Sequence, residues 1–156
     1  MNRSRKTCVA CVSAALILAA CGGAKEAEPP AVAAPTGAVL SVADAWARPV
    51  DSGATAAVYF TLVNAAAIPD TLSGATSGMA EETGLHMSME HEGTMHMVAL
   101  ASLPVPAADS VEFAPLGAHV MLTRTTRAFA VGDTIPLTLT FVSGQTLAVQ
   151  AGVRAP

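Results

Sequence analysis

The chain has 156 residues, with eight Lys and Arg against twelve Asp and Glu and a net charge of −4; 52 % of its side chains are apolar, a share inflated by alanine and by an N-terminal apolar run. Loss of residues 1–20, which carry Arg3, Arg5 and Lys6, would leave five basic against twelve acidic side chains, a net −7. No Lys/Arg cluster then remains to neutralise phosphates, which argues against nucleic acid as a partner.

In chain order, residues 1–20 read as an export signal: a positive start at Arg3, Arg5 and Lys6, then an apolar stretch from Cys8 to Ala20 too short for a permanent membrane span. Leu18-Ala19-Ala20-Cys21 resembles a bacterial lipobox, in which Cys21 is lipidated and becomes the new N-terminus; an ordinary signal peptide cut near Ala20 or Ala24 is the other reading. Cys8 and Cys11 imitate a C-x-x-C motif but fall inside the removed segment, so a Cys21-lipidated chain has no free thiol and no disulfide. Residues 21–37, rich in Ala, Pro and Gly and without periodicity, read as a flexible tether. Residues 38–156 are left as one domain of ordinary size.

Within that domain the apolar residues recur with the period of strands. Val58, Phe60 and Leu62 alternate with Ala57, Tyr59 and Thr61; Leu137, Leu139 and Phe141 with Thr138, Thr140 and Val142; Leu147 and Val149 with Ala148 and Gln150. Turn signals separate them at Pro69-Asp70, Ser77-Gly78, Glu92-Gly93, Ala108-Asp109, Val131-Gly132-Asp133 and Ser143-Gly144. Short strands at this spacing, without a convincing amphipathic helix, predict an all-β antiparallel sandwich or Greek-key barrel.

One stretch is chemically distinct. Residues 86–121 hold all four histidines (His86, His91, His96, His119) and five methionines (Met87, Met89, Met95, Met97, Met121). Met95/Met97 and His119/Met121 are each two apart, so on strands the members of each pair share a face. Methionine alone is commonly a core gap-filler, and a lone histidine is commonly a hydrogen-bonded structural residue. The concentration of both types favours a metal site instead. Thioether and imidazole without thiolate suit Cu(I) better than Zn(II), Mg or Ca, which ask for thiolate, carboxylate or other oxygen ligands.

The spacing H-x10-M-x21-H-x-M, from His86 through Met97 and His119 to Met121, resembles the signature of the periplasmic copper chaperone family called PCuA(C). Flanking blocks are also similar: Asp44-Ala45-Trp46-Ala47-Arg48-Pro49, Ala57-Val58-Tyr59-Phe60 leading to Asn64, Gly117-Ala118-His119-Val120-Met121-Leu122, and the run Gly132 to Phe141. The resemblance covers about residues 39–153. It implies a cupredoxin-like β-barrel in which His86, Met97, His119 and Met121 ligate one Cu(I). It also implies a lipid-anchored protein on the periplasmic side of a bacterial membrane. Its partner would be a copper-accepting protein, such as a cytochrome c oxidase subunit or another copper chaperone.

The chain departs from the family between the first two ligands, where Met87-Ser88-Met89-Glu90-His91-Glu92-Gly93-Thr94 replaces a Glu after the first His and an acidic turn. Met87, Met89, His91 and His96 therefore have two readings: a solvated hairpin tip, or an auxiliary site whose imidazoles suit Cu(II). Met95 is expected to pack beside the metal rather than ligate it. Trp46 is expected to be structural, by burial or by stacking with Arg48, and Arg124 and Arg127 to lie on a solvated face or to meet an acidic partner. No catalytic constellation can be assembled, so an enzyme is not expected. A copper-sequestering lipoprotein using the His/Met-rich hairpin is the alternative to a chaperone.

Overall fold

A computed structural model describes residues 39–91 and 93–155. The export signal, Cys21 and the tether lie outside the described residues. Ten strands follow in order: β1 (Leu40–Ala47), β2 (Ala56–Asn64), β3 (Asp70–Thr76), β4 (Ala80–His91), β5 (Thr94–Leu100), β6 (Leu103–Val105), β7 (Asp109–Phe113), β8 (Ala118–Thr125), β9 (Thr134–Phe141) and β10 (Thr146–Val153). No helix occurs among the described residues. The alternations expected at β2, β9 and β10 are present: β2 alternates buried and half-buried at every position from Ala56 to Asn64, and Ile135, Leu137, Leu139 and Phe141 are the buried phase of β9.

The strands form one continuous sheet in the order β5-β4-β8-β7-β2-β1-β10-β9-β3-β6, with β8 also pairing directly to β2. Neighbours are antiparallel except β1 with β10 and the single β7–β8 pair. Consecutive strands β3 and β4 lie in opposite arms of this order, so the sheet must fold over between them. Its inner faces, from Leu85, Val120 and Leu122 in one arm to Leu72, Leu139 and Val149 in the other, make one contiguous core. This is the all-β Greek-key barrel expected from the strand and turn spacing, and the cupredoxin-like form that the family resemblance implies.

Two irregularities redirect side chains on this frame. β2 is long enough to pair with β8 through Ala56–Val58 and with β7 through Phe60–Asn64, so residues 114–117 must leave and rejoin the sheet opposite Tyr59. They do so in a tight turn in which Gly117 N donates to Ala114 O at 3.0 Å and Leu116 takes φ 69°. In β1 a bulge between Ala43 and Trp46, with Asp44 at φ 50°, turns Trp46 onto Tyr59, their ring centroids 4.8 Å apart. Trp46 stacks under Arg154, whose guanidinium carbon lies 4.7 Å from the ring centroid, and not with Arg48, the partner considered from sequence.

Asn64 is one of three buried polar residues among the described residues, with His119 and Thr125. It is 1 % exposed, donates from Nδ2 to Ile68 O and Pro106 O at 3.0 Å each, and accepts from Ala66 N at 3.0 Å. Buried amides must be satisfied in this way, and here the bonds tie the β2–β3 loop to the end of β6.

Candidate metal centre

β4 and β5 form a hairpin closed by the pair His91↔Thr94, which leaves residues 92 and 93 as its connection. Gly93 takes φ +76°, the left-handed conformation that two-residue hairpin loops require and that glycine adopts without a Cβ clash. On the other side β4 pairs with β8. The register of all three strands is pinned by the buried row Leu85↔Leu100 and Leu85↔Val120. A slip of one residue would send that row to solvent.

Alternation from this row decides where each candidate points. His86 lies directly opposite His119, and Gly84 opposite Met121. Ser88, on the same face of β4 as His86, lies opposite Met97. His86, Met97, His119 and Met121 therefore share the outer face of β5-β4-β8, although they come from three strands. Met97, His119 and Met121 line one open cleft of about 510 Å³, together with Tyr59, Ser88 and Leu116.

The two imidazoles are held differently. His119 is 3 % exposed, and its Nδ1 lies 3.1 Å from Gly117 O. With Nδ1–H donating to that carbonyl, Nε2 carries the lone pair, and Nε2 is buried with no hydrogen-bond partner. His86 Nδ1 is likewise buried and unpartnered. The rings face each other with centroids 6.0 Å apart and planes at 26°. Gly84 lies beside the His86 ring, where a Cβ would sit in ordinary contact with Nε2 at 3.4 Å. Burial, reinforced by the charge His119 would carry, holds the His86 pKa below its ordinary 6.5. Both effects disfavour imidazolium and keep the ring nitrogens available as donors.

Two buried, unpartnered ring nitrogens on neighbouring histidines call for an explanation, and a position for a ligand is one that their chemistry supports. Among the described residues no group of three or more His, Cys, Asp or Glu converges. The face that carries His86 and His119 also carries the thioethers of Met97 and Met121, and imidazole with thioether is a soft donor set.

The hairpin divides the remaining candidates by face. Met95 is on the Met97 face, opposite Glu90, and 47 % exposed. Met87, Met89, His91 and His96 are on the reverse face, the side that carries Leu85 nearer the body. Met87 packs against the core, opposite Ala118 and Val98. Met89, His91 and His96 extend past the core and are exposed. Arg124 and Arg127 are taken up within the chain, Arg124 by Glu81 and Glu82 and Arg127 by Asp133, with Phe129 beneath Arg127.

Sequence reasoning missed the Gly117 carbonyl, Tyr59 and Leu116. A backbone acceptor has no residue signature. Tyr59, whose ring centroid is 6.3 Å from that of His119, shows only as the outward phase of a β-branched and aromatic strand.

A family model of LpqE-like proteins, described as lipoproteins, matches residues 40–153. A relative in Leifsonia xyli named as a lipoprotein, Lxx21020, is 31 % identical over 116 residues, 74 % of this chain and 69 % of the relative. The copper-bound PCuAC domain from PmoF2 superposes with a TM-score of 0.63 at 26 % identity, covering 76 % of this chain and 94 % of that domain. The solution structure of Cu(I)-DR1885 from Deinococcus radiodurans matches with a TM-score of 0.55 at 31 % identity, over 76 % of this chain and 81 % of that one. With its pairing of three strands around His86 and His119, its barrel and these relatives, the chain belongs to the LpqE-like family, related to the PCuA(C) domains.

Proposed function

We propose that this protein is an extracytoplasmic copper carrier that holds one Cu(I) through His86 Nδ1, His119 Nε2 and the thioethers of Met97 and Met121. The observation that carries the reading is the pair of buried, unpartnered imidazole nitrogens on one sheet face with two thioethers. The copper-bound and Cu(I)-bound domains among its structural relatives support the cargo. Neutral imidazole and thioether ligands hold Cu(I) without charge neutralisation, so an acceptor offering thiolates can take the ion downhill by ligand exchange. Met97, 56 % exposed on the edge strand, is the ligand an acceptor reaches first.

By the same proposal the chain is anchored by lipid at Cys21 on the periplasmic side of a bacterial membrane, and its acceptor is a copper centre such as that of cytochrome c oxidase. The lipoprotein names in its family support the anchor. No enzymatic role is assigned. A sequestering role is the second reading, favoured by the exposed Met89, His91 and His96 at the hairpin tip.

Competition of Cu(I) against a chromophoric chelator tests the carrier reading. One tight equivalent, lost in the His119→Ala/Met121→Ala variant and transferable to a dithiolate acceptor, is the expected result. Tight binding that survives the variant would remove these residues from the site, and tight binding without transfer would favour sequestration.

A further inference from the structure

The reverse face of the β4–β5 hairpin carries a second pair of imidazoles that the Cu(I) site does not use. Met89 lies directly opposite His96, and His91 opposite Thr94, so His91 and His96 are diagonal neighbours on one face. Diagonal positions across a ladder are within mutual reach of long side chains. The two ring centroids lie 6.5 Å apart, at 62° between planes. One ion bound by two imidazoles at about 2.0 Å per bond holds their centroids up to about 6 Å apart. The observed separation is within a small side-chain rotation of that.

Packing does not explain these side chains. Leu85 and Met87, earlier on the same face, are against the core, whereas His91, His96 and Met89 stand beyond it in solvent. Among the described residues neither the His91 nor the His96 ring makes a hydrogen bond, although a histidine kept for structure normally has one. The backbone beneath them is a continuous ladder closed by a two-residue turn, so the two rings are presented by a paired scaffold and not by a loose loop.

We infer that His91 and His96 form a second metal site, which takes a divalent copper ion. Imidazole nitrogens with open positions for water suit Cu(II), which stands highest of the first-row divalent ions for such ligands. The Met89 thioether beside His96 is a third, weaker contact. The front face offers neutral imidazoles together with thioethers, suited to Cu(I); the back offers exposed imidazole nitrogens suited to the oxidised ion. The two sites share strands but no side chain, so the second does not rest on the first being correct.

The test is a Cu(II) titration of the full chain, followed by electron paramagnetic resonance to count bound nitrogens, with Cu(I) chelator competition run in parallel. Wild type and His119→Ala/Met121→Ala are expected to bind one Cu(II) with two nitrogen ligands. His91→Ala/His96→Ala is expected to weaken Cu(II) by about tenfold or more while its Cu(I) affinity is unchanged. Both substitutions are at exposed positions, and an unaltered circular dichroism spectrum confirms the fold. Cu(II) retained at wild-type affinity in the hairpin variant would overturn the proposal. So would its loss in the front-face variant, which would assign Cu(II) to His119 instead. Loss of Cu(I) binding in the hairpin variant would likewise overturn the proposal of two separate sites, whereas its loss in the front-face variant alone, with Cu(II) retained, is the expected result.

Discussion

At the scale of single residues, the chemistry of His86 and His119 is set by what they lack. Each has a buried ring nitrogen without a partner, and for His119 the Gly117 carbonyl decides which one. The His86 pKa is lowered by burial first and by His119 second. The sign follows: protons compete with copper only below the ordinary 6.5, so Cu(I) affinity should be level above that pH and fall beneath it. Apo stability has the same direction, because the unfolded chain binds the proton more readily than the folded one as pH drops through 6.5. Chelator competition from pH 7.5 downward through the acid limb checks the first, and a profile that stays flat would remove His86 from the site. Methionine exposure sets a further order. Met97 is 56 % exposed and Met121 half-buried, so mild peroxide should convert Met97 to the sulfoxide first. Tight Cu(I) binding should vanish with that first modification, and bound Cu(I) should slow it; mass spectrometry of the peptide against affinity reads both. Ligand type was legible at this scale because thioether and imidazole announce their metal. The Gly117 carbonyl and the exposed Leu116 at φ 69° were not, since a backbone acceptor and a strained turn leave no compositional trace.

At the scale of elements, the hairpin register converts a run of alternating soft residues into two separate faces. The strands with one buried face, β2, β9 and β10, were readable from alternation alone. β5 was not, because from Thr94 to Ala99 it is exposed on both sides and its pattern carries no core phase. Which methionine faces the histidines depends on Leu85, Leu100 and Val120, residues that pin the register from outside the motif. The exchange Met97→Val/Val98→Met preserves composition and β-propensity while moving the thioether to the reverse face. Its Cu(I) affinity should fall as far as that of Met97→Ala; retention of wild-type affinity would mean that the facing direction is not what makes Met97 a ligand. Gly84 gives a second element-level expectation. A methyl there would meet the His86 ring at 3.4 Å, an ordinary contact, so Gly84→Ala should leave thermal stability within about 1 kcal/mol and Cu(I) affinity unchanged; weakened binding would show that the ring must move toward Gly84 to hold copper.

At the scale of the molecule, the barrel brings together strands that are far apart in sequence, and that is why its long-range pairings were not legible: β1 beside β10 and β4 beside β8 are consequences of the whole core. The same fact gives copper a mechanical role. Three of the four proposed ligands sit on strands bound into the barrel, while Met97 sits on β5, an edge strand paired only to β4 and mostly exposed. Edge strands with few buried contacts open locally at little cost. In the apo protein, β5 amides bonded to β4 should therefore exchange hydrogen by local opening, well before the β2 and β9 amides of the core. An ion held jointly by Met97, His86, His119 and Met121 must be released, or lose a ligand, before β5 can peel away. At free Cu(I) near one hundred times the dissociation constant, binding stabilises the liganded state by about 2.7 kcal/mol. β5 protection should rise by a comparable amount if copper leaves on opening, and by less if three ligands keep it. Hydrogen exchange with mass spectrometry resolves the two cases. Added protection across the core with none in β5 would mean that copper is held without Met97, and the edge strand would then have no part in retaining or releasing the ion.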